Sequence, residues 1–175
     1  EYIIFVIDTS PSMTDYAWNL VIEKVSEILA IYPKVKGIQV LNDNGIYMFS
    51  TYSGEWIPDS PGIRKQITSR LRYWNANSSS DPVAGIYEAI NTYYESDKQI
   101  SIYVFGDDFP RGSVEAVCRY VARINKADRF GNRLVRIHGI GFPTQIGTAN
   151  GAKFAHLMRK LSEQNGGTFV ALPHL

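Results

Sequence analysis

Three short stretches of this 175-residue chain concentrate oxygen donors. Residues 8–12 read Asp-Thr-Ser-Pro-Ser, residues 78–81 read Ser-Ser-Ser-Asp, and residues 106–108 read Gly-Asp-Asp. Asp8 and Asp107 each end an apolar run of strand type, and a carboxylate in that position is costly unless it is paired or binds a cation. Three chemistries compete for the first stretch. Helix initiation is the plainest, because Ser12 followed by Asp15 fits a capping box, but it leaves Asp8 and Ser10 without a task. A phosphoryl-accepting Asp8 needs a nearby acid to protonate the leaving oxygen, and the neighbours that this stretch offers are the hydroxyls of Ser10 and Ser12. The remaining reading is a metal site. Hard oxygen donors suit Mg²⁺, Mn²⁺ or Ca²⁺, and hydroxyls at alternate positions of a turn can reach an ion held near a carboxylate.

Those donors need elements to bring them together. Tyr2 to Ile7 is β-branched and aromatic, as suits a strand buried on both faces, and Trp18, Val21, Ile22, Val25, Ile28, Leu29 and Tyr32 then recur at helical spacing until Pro33. Residues 37–41 and 46–50 are strand candidates joined by Asn-Asp-Asn-Gly, a hairpin signal that predicts an antiparallel edge strand. Ser60-Pro61 and Asp81-Pro82 each read as an N-cap with proline at the first helical position. Residues 99–105 form a further buried strand. A helix follows over about 113–125, a strand over 133–142, a helix around Phe154 to Leu161, and a last short strand at 168–172. The expectation is one α/β domain over residues 1–175, doubly wound, with a six-stranded mostly parallel sheet, one antiparallel edge strand and helices on both faces. In such sheets ligands bind beyond the carboxyl ends of the strands, where the strand order reverses.

Composition narrows the function. A net charge of +1 with interspersed signs gives no electrostatic case for nucleic acid or a membrane surface. No apolar run is long enough to span a bilayer. The lone Cys118 falls on the apolar stripe of its helix with Val114, Val117 and Val121, and is read as an inert core residue. His138, His156 and His174 show no zinc or catalytic spacing. A chain that opens without Met and enters a strand within two residues is read as a domain cut from a longer parent.

With the three stretches in place, the chain resembles the von Willebrand factor type A domain, the fold also seen as the inserted domain of integrins. The metal-ion-dependent adhesion site of that family is written Asp-x-Ser-x-Ser after the first strand, which Asp8, Ser10 and Ser12 match. Ser80, ahead of Gly85 and Ile86, occupies the place of a threonine, and Asp107 that of an aspartate following a later strand. Gly106 and Asp108 flank it where Thr and Gly are usual, and Pro11 replaces a common Gly. None of these departures removes an oxygen ligand.

The resemblance implies a cation, Mg²⁺ or else Mn²⁺ or Ca²⁺, held by Asp8, Ser10, Ser12, Ser80 and Asp107. It also implies a protein partner that offers an acidic residue, and a cell-surface or extracytoplasmic setting. The expected function is therefore adhesion or assembly and not catalysis. A metal-dependent phosphoryl-transfer or hydrolytic enzyme built on Asp8 and Asp107 is the alternative, and a scaffold whose ion only stiffens its loops is a third reading. Asp81 is read as a cap. Tyr52, Trp56, Tyr73 and Trp74 either form a contact surface or pack beneath their own loops.

Overall fold

The strand-like runs and the 3.6-residue periodicities become a single layered α/β structure. The computed structural model describes residues 1–175, with strands β1 (Tyr2–Ile7), β2 (Gly37–Asn42), β3 (Ile100–Gly106), β4 (Val135–Gly141) and β5 (Phe169–Ala171). The helices are α1 (Pro11–Tyr16), α2 (Trp18–Ile31), α3 (Pro61–Leu71), α4 (Pro82–Tyr93), α5 (Val114–Ile124) and α6 (Ala149–Gln164). All strand pairs are parallel, in the order β2-β1-β3-β4-β5. Ile4, Val6, Ile102, Val104 and Ile137 point into one core beneath α4, α5 and α6. Ile3, Phe5, Ile7 and Phe105 point the other way, onto Met13 of α1 and the apolar faces of α2 and α3. Strands buried on both faces are why β1 and β3 carry nearly continuous apolar sequence.

The expected sixth, antiparallel strand does not form; the sheet has five strands and is wholly parallel. The Asn44-Gly45 turn exists, with Gly45 at a φ of 84°. Asn42 Oδ1 accepts the backbone N–H groups of Asn44 and Ile46. Beyond it the antiparallel contact with β2 shrinks to isolated bridges, Leu41 with Tyr47 and Ile38 with Ile57. Between them the chain lifts into a 3₁₀ turn at Ser50–Tyr52. The fully buried Gln39 amide holds that loop by donating to the carbonyls of Tyr52 and Glu55, at 2.9 and 2.8 Å. A side chain thus takes over part of the work of a backbone ladder.

Both proline-led helices start where expected. Ser60 Oγ accepts from the Ile63 N–H and Asp81 Oδ1 from the Val83 N–H, each at 3.1 Å. The capping box that Ser12 and Asp15 would fit, the competing reading of this loop, does not form: α1 begins at Pro11 with Ser10 as its N-cap and no side chain closes it.

Because β1 is followed by a connection to β2 on one side and β3 lies on its other side, the strand order reverses between β1 and β3. Their carboxyl ends open the crevice that carries Asp8 and Asp107. Helix α4 seals its flank, and the seal depends on Gly85. A Cβ there would lie 2.6 Å from both the Asn42 carbonyl oxygen and Val6 Cγ1. We expect Gly85→Ala to lower the urea midpoint by the equivalent of about 1–3 kcal/mol, the usual range for overpacking a tight contact. Gly62→Ala, where the nearest atom is 3.8 Å away, should leave the midpoint unchanged or raise it slightly.

Candidate metal centre

The site begins with the turn out of β1. The Asp8 N–H donates to the Phe105 carbonyl, which carries the β1–β3 ladder one residue past β1, and its side chain turns back so that Oδ1 accepts the Ser10 N–H at 2.8 Å. Ser10 Oγ lies 3.2 Å from Ser12 Oγ. The two hydroxyls that a helix cap would have consumed are therefore engaged with each other beside a carboxylate. Asp8 is only 2% exposed, and its Oδ2 is buried with no hydrogen-bond partner.

Asp107 faces this loop from the end of β3. It is equally buried, with Oδ2 accepting from the Thr144 hydroxyl and Oδ1 left without a partner. Gly106 sets the approach: a Cβ at that position would sit 2.9 Å from Phe154 and 3.6 Å from Asp8 Cβ. Phe154 of α6 occupies the space that a larger residue would need, which is a physical reason for glycine here. Asp108 Oδ1 is a further buried, unpartnered oxygen.

The serine loop arrives differently from expectation. Ser78 Oγ accepts the Thr9 N–H at 3.1 Å and reaches Asp8 Oδ1 at 3.4 Å. Ser80 is buried behind it, in the left-handed region at a φ of 56°, and makes no hydrogen bond to Asp8 or Asp107. The structure thus gathers Asp8, Ser10, Ser12 and Asp107, and brings the third loop in through Ser78. Asp81 acts as the helix cap it was read to be.

Asp43 completes the cluster and was not among the expected residues. It is fully buried after β2, with Oδ1 accepting the Thr9 N–H at 3.3 Å and Oδ2 the Asp81 N–H at 2.9 Å. One carboxylate therefore ties the Asp8 loop to the serine loop. The signal was available, since Asp43 ends a buried strand as Asp8 does, but it lay inside a turn motif that already explained it. Thr144 follows β4 and could have been found by the rule that strand-end loops carry the site. For Ser78 nothing in the run of serines fixes which hydroxyl faces inward.

The electrostatics are those of several carboxylates and no counter-charge. No Lys, Arg or His forms a salt bridge with Asp8, Asp43, Asp107 or Asp108. Burial, reinforced by the neighbouring charge of Asp43 and partly offset by the Ser10 hydrogen bonds, pushes the Asp8 carboxyl up to about 8. Burial also raises Asp43, and burial together with Asp107 raises Asp108. Nowhere in the chain do three carboxylate, imidazole or thiol groups converge as a ready-made metal cage. A cation here would have to be completed by hydroxyls. The donor set nonetheless fits a hard ion, because it offers two orphaned carboxylate oxygens flanked by neutral hydroxyls.

The aromatic residues divide. Trp56 packs between Tyr2 and Tyr93, at ring distances of 4.6 and 4.5 Å, and Trp74 packs against the α2–α3 core. Tyr73 is 86% exposed. Cys118 is buried, as its spacing implied.

No protein-family model matches the chain, and no curated protein sequence matches it. Among solved structures, two of proximal thread matrix protein 1 from the mussel byssus are similar to it, with TM-scores of 0.62 and 0.63. Identity is 14% and 16%, over 97% and 99% of this chain but 41% and 42% of the mussel chains. The chain thus spans about two fifths of the length of those proteins. Identity at this level shows the fold alone, an α/β fold shared with part of those proteins.

Proposed function

We propose that this chain is a cation-dependent protein-binding module, in which Asp8, Ser10, Ser12 and Asp107, together with the serine loop that Ser78 brings against Asp8, hold a Mg²⁺ or Mn²⁺ ion. The observation that carries the reading is the pair of buried, unpartnered carboxylate oxygens, Asp8 Oδ2 and Asp107 Oδ1, at the reversal point of the sheet. Unpaired buried charge is among the most costly features a fold can retain. A bound ion would offset it and would supply positive charge to an acidic side chain of a protein partner. Ser10 and Ser12 contribute oxygen without charge, so the loops leave the ion under-compensated. Asp43 acts from behind, fixing the backbone of two loops. The likeness to a byssal thread matrix protein supports an assembly role and an extracytoplasmic setting. No helix is long and apolar enough to cross a membrane.

Catalysis fits the site poorly. A phosphoryl-transfer reaction at Asp8 would need a proton donor for the leaving oxygen and a cation beside the transferring group. For the first, the Asp8 loop offers the hydroxyls of Ser10 and Ser12, and no basic side chain is paired with the cluster.

Titration of Mg²⁺ by calorimetry should show saturable binding that Asp8→Ala and Asp107→Ala abolish. Equal heats from wild type and both variants would refute the metal site. Turnover of a generic phosphate ester in Mg²⁺ or Mn²⁺, lost in Asp8→Asn while the fold survives, would replace the binding reading with an enzyme.

The carboxyl electrostatics give an independent check in the presence of chelator. The Asp8 carboxyl titrates near 4 when unfolded and is raised to about 8 when folded. Its contribution to stability is therefore fully present below about pH 4 and is lost as pH rises through about 8. The melting temperature of the wild type should fall over that window, and Asp8→Asn should flatten the profile and melt higher at its alkaline end. Parallel profiles for the two proteins would contradict the buried-charge account.

A further inference from the structure

The overall charge of +1 conceals a segregation along the chain. Residues 99–175 carry ten Lys and Arg against five Asp and Glu, whereas residues 1–98 carry eight against twelve. Two of the five acids, Asp107 and Asp108, are sequestered at the carboxyl ends of the strands. Of those cations α5 and α6 carry Arg119, Arg123, Lys153, Arg159 and Lys160, against the acids Glu115 and Glu163, so this flank has a net positive charge.

On that flank a groove of about 470 Å³ runs between the two helices. Arg119 from α5, Lys160 from α6 and Arg133 from the segment leading into β4 line it, and Cys118 and Ala122 form its small, apolar floor. Arg133 is held rigidly, with Nη1 donating to the carbonyls of Asn125 and Ala122 at 2.6 and 3.3 Å, so its remaining donors stay directed and charged at the end of α5. Arg119 has no acidic partner. The one acid in the groove is Glu115, whose carboxylate lies 3.9 Å from Lys160. Three cations from three elements thus line one groove with a single anion among them.

We infer that this groove binds a short acidic segment of a protein partner, at a site separate from the aspartate cluster. Arginine forks match carboxylates in paired, planar hydrogen bonds, and the small floor leaves room for intervening side chains. Glu115 decides the class of partner. A uniformly charged polymer, such as a nucleic acid or a sulfated glycan, cannot avoid placing an anion against it. A peptide can set a neutral or basic residue there and its carboxylates opposite Arg119, Lys160 and Arg133. The α5 residues that line the groove, Glu115 to Ala122, cover about 10 Å at the helical rise per residue. That length corresponds to about three residues of extended chain.

The test uses the whole chain in chelator, so that the aspartate cluster contributes nothing through a cation. A short fluorescent peptide of alternating Glu and Ala is titrated and followed by anisotropy. Binding should weaken as salt rises. The paired change Arg119→Glu with Lys160→Glu should reduce affinity by about tenfold or more, given the energy of two charge pairs at a partly exposed site. Lys65→Glu with Arg70→Glu makes the same change in net charge on the exposed side of α3, and should leave binding unaltered. Peptide affinity unchanged in the groove variant, or reduced equally in the α3 variant, would overturn the site. Heparin or single-stranded DNA binding more tightly than the peptide at equal ionic strength would overturn the assigned partner class.

Discussion

The arrangement of the carboxyl-terminal end of the sheet depends on one buried carboxylate, that of Asp43. Its two oxygens accept N–H groups from Thr9 and Asp81, residues 34 and 38 positions away in sequence. Its backbone extends the same junction, since the Asp43 N–H donates to Ile7 and its carbonyl accepts from Gly85 at 2.7 Å. One residue therefore sets the spacing between β1, β2, the serine loop and the start of α4. A neutral side chain could satisfy some of these contacts, but only a carboxylate offers acceptors to two separate backbone donors while donating nothing. The same charge raises the cost of ionising Asp8. The interaction that organises the loops is thus also the one that makes them repel, and the loops stay close because the surrounding backbone is fixed by two packed cores.

Much of this was legible in the amino-acid order. The β-branched runs of β1 and β3, the two proline-led helices and the apolar stripe with Cys118 all follow from local rules that tertiary packing does not contest. The sixth strand failed because strand propensity is contextual. Residues 46–50 are mostly apolar and aromatic, as suits a strand, but the Gln39 side chain captures the carbonyls of the adjoining loop and diverts the backbone. In the site, Asp8 and Asp107 were visible as carboxylates ending buried strands. Asp43 obeys the same rule and was masked by the turn it helps to form. Ser78 and Ser80 differ by which hydroxyl the loop turns inward, and that is decided by the left-handed backbone at Ser80, which the residue type does not favour.

Helix α6 joins regions that the chain order keeps apart. Phe154 fills the space above Gly106 beside the aspartate cluster, and Lys160, six residues later, lines the basic groove. Leu157, Met158 and Leu161 hold the helix to the sheet between those points. The two surfaces therefore rest on one rigid element.

The interrupted edge beside β2 has a consequence for how molecules of this kind can crowd together. Ile38 exchanges both of its hydrogen bonds with Ile57, the Val40 N–H is taken by Gln39 Oε1, and the Val40 carbonyl and Asn42 N–H are met by Met48 and Ile46. The outward backbone groups are satisfied piecemeal, by segments too short and too irregular to act as a template. At the opposite edge β5 offers only three residues. Neither rim of the sheet presents the long, flat row of free amides on which cross-β stacking grows. Copies packed at high concentration would thus meet through side chains and loops, and the fold is guarded against fusing into continuous sheets.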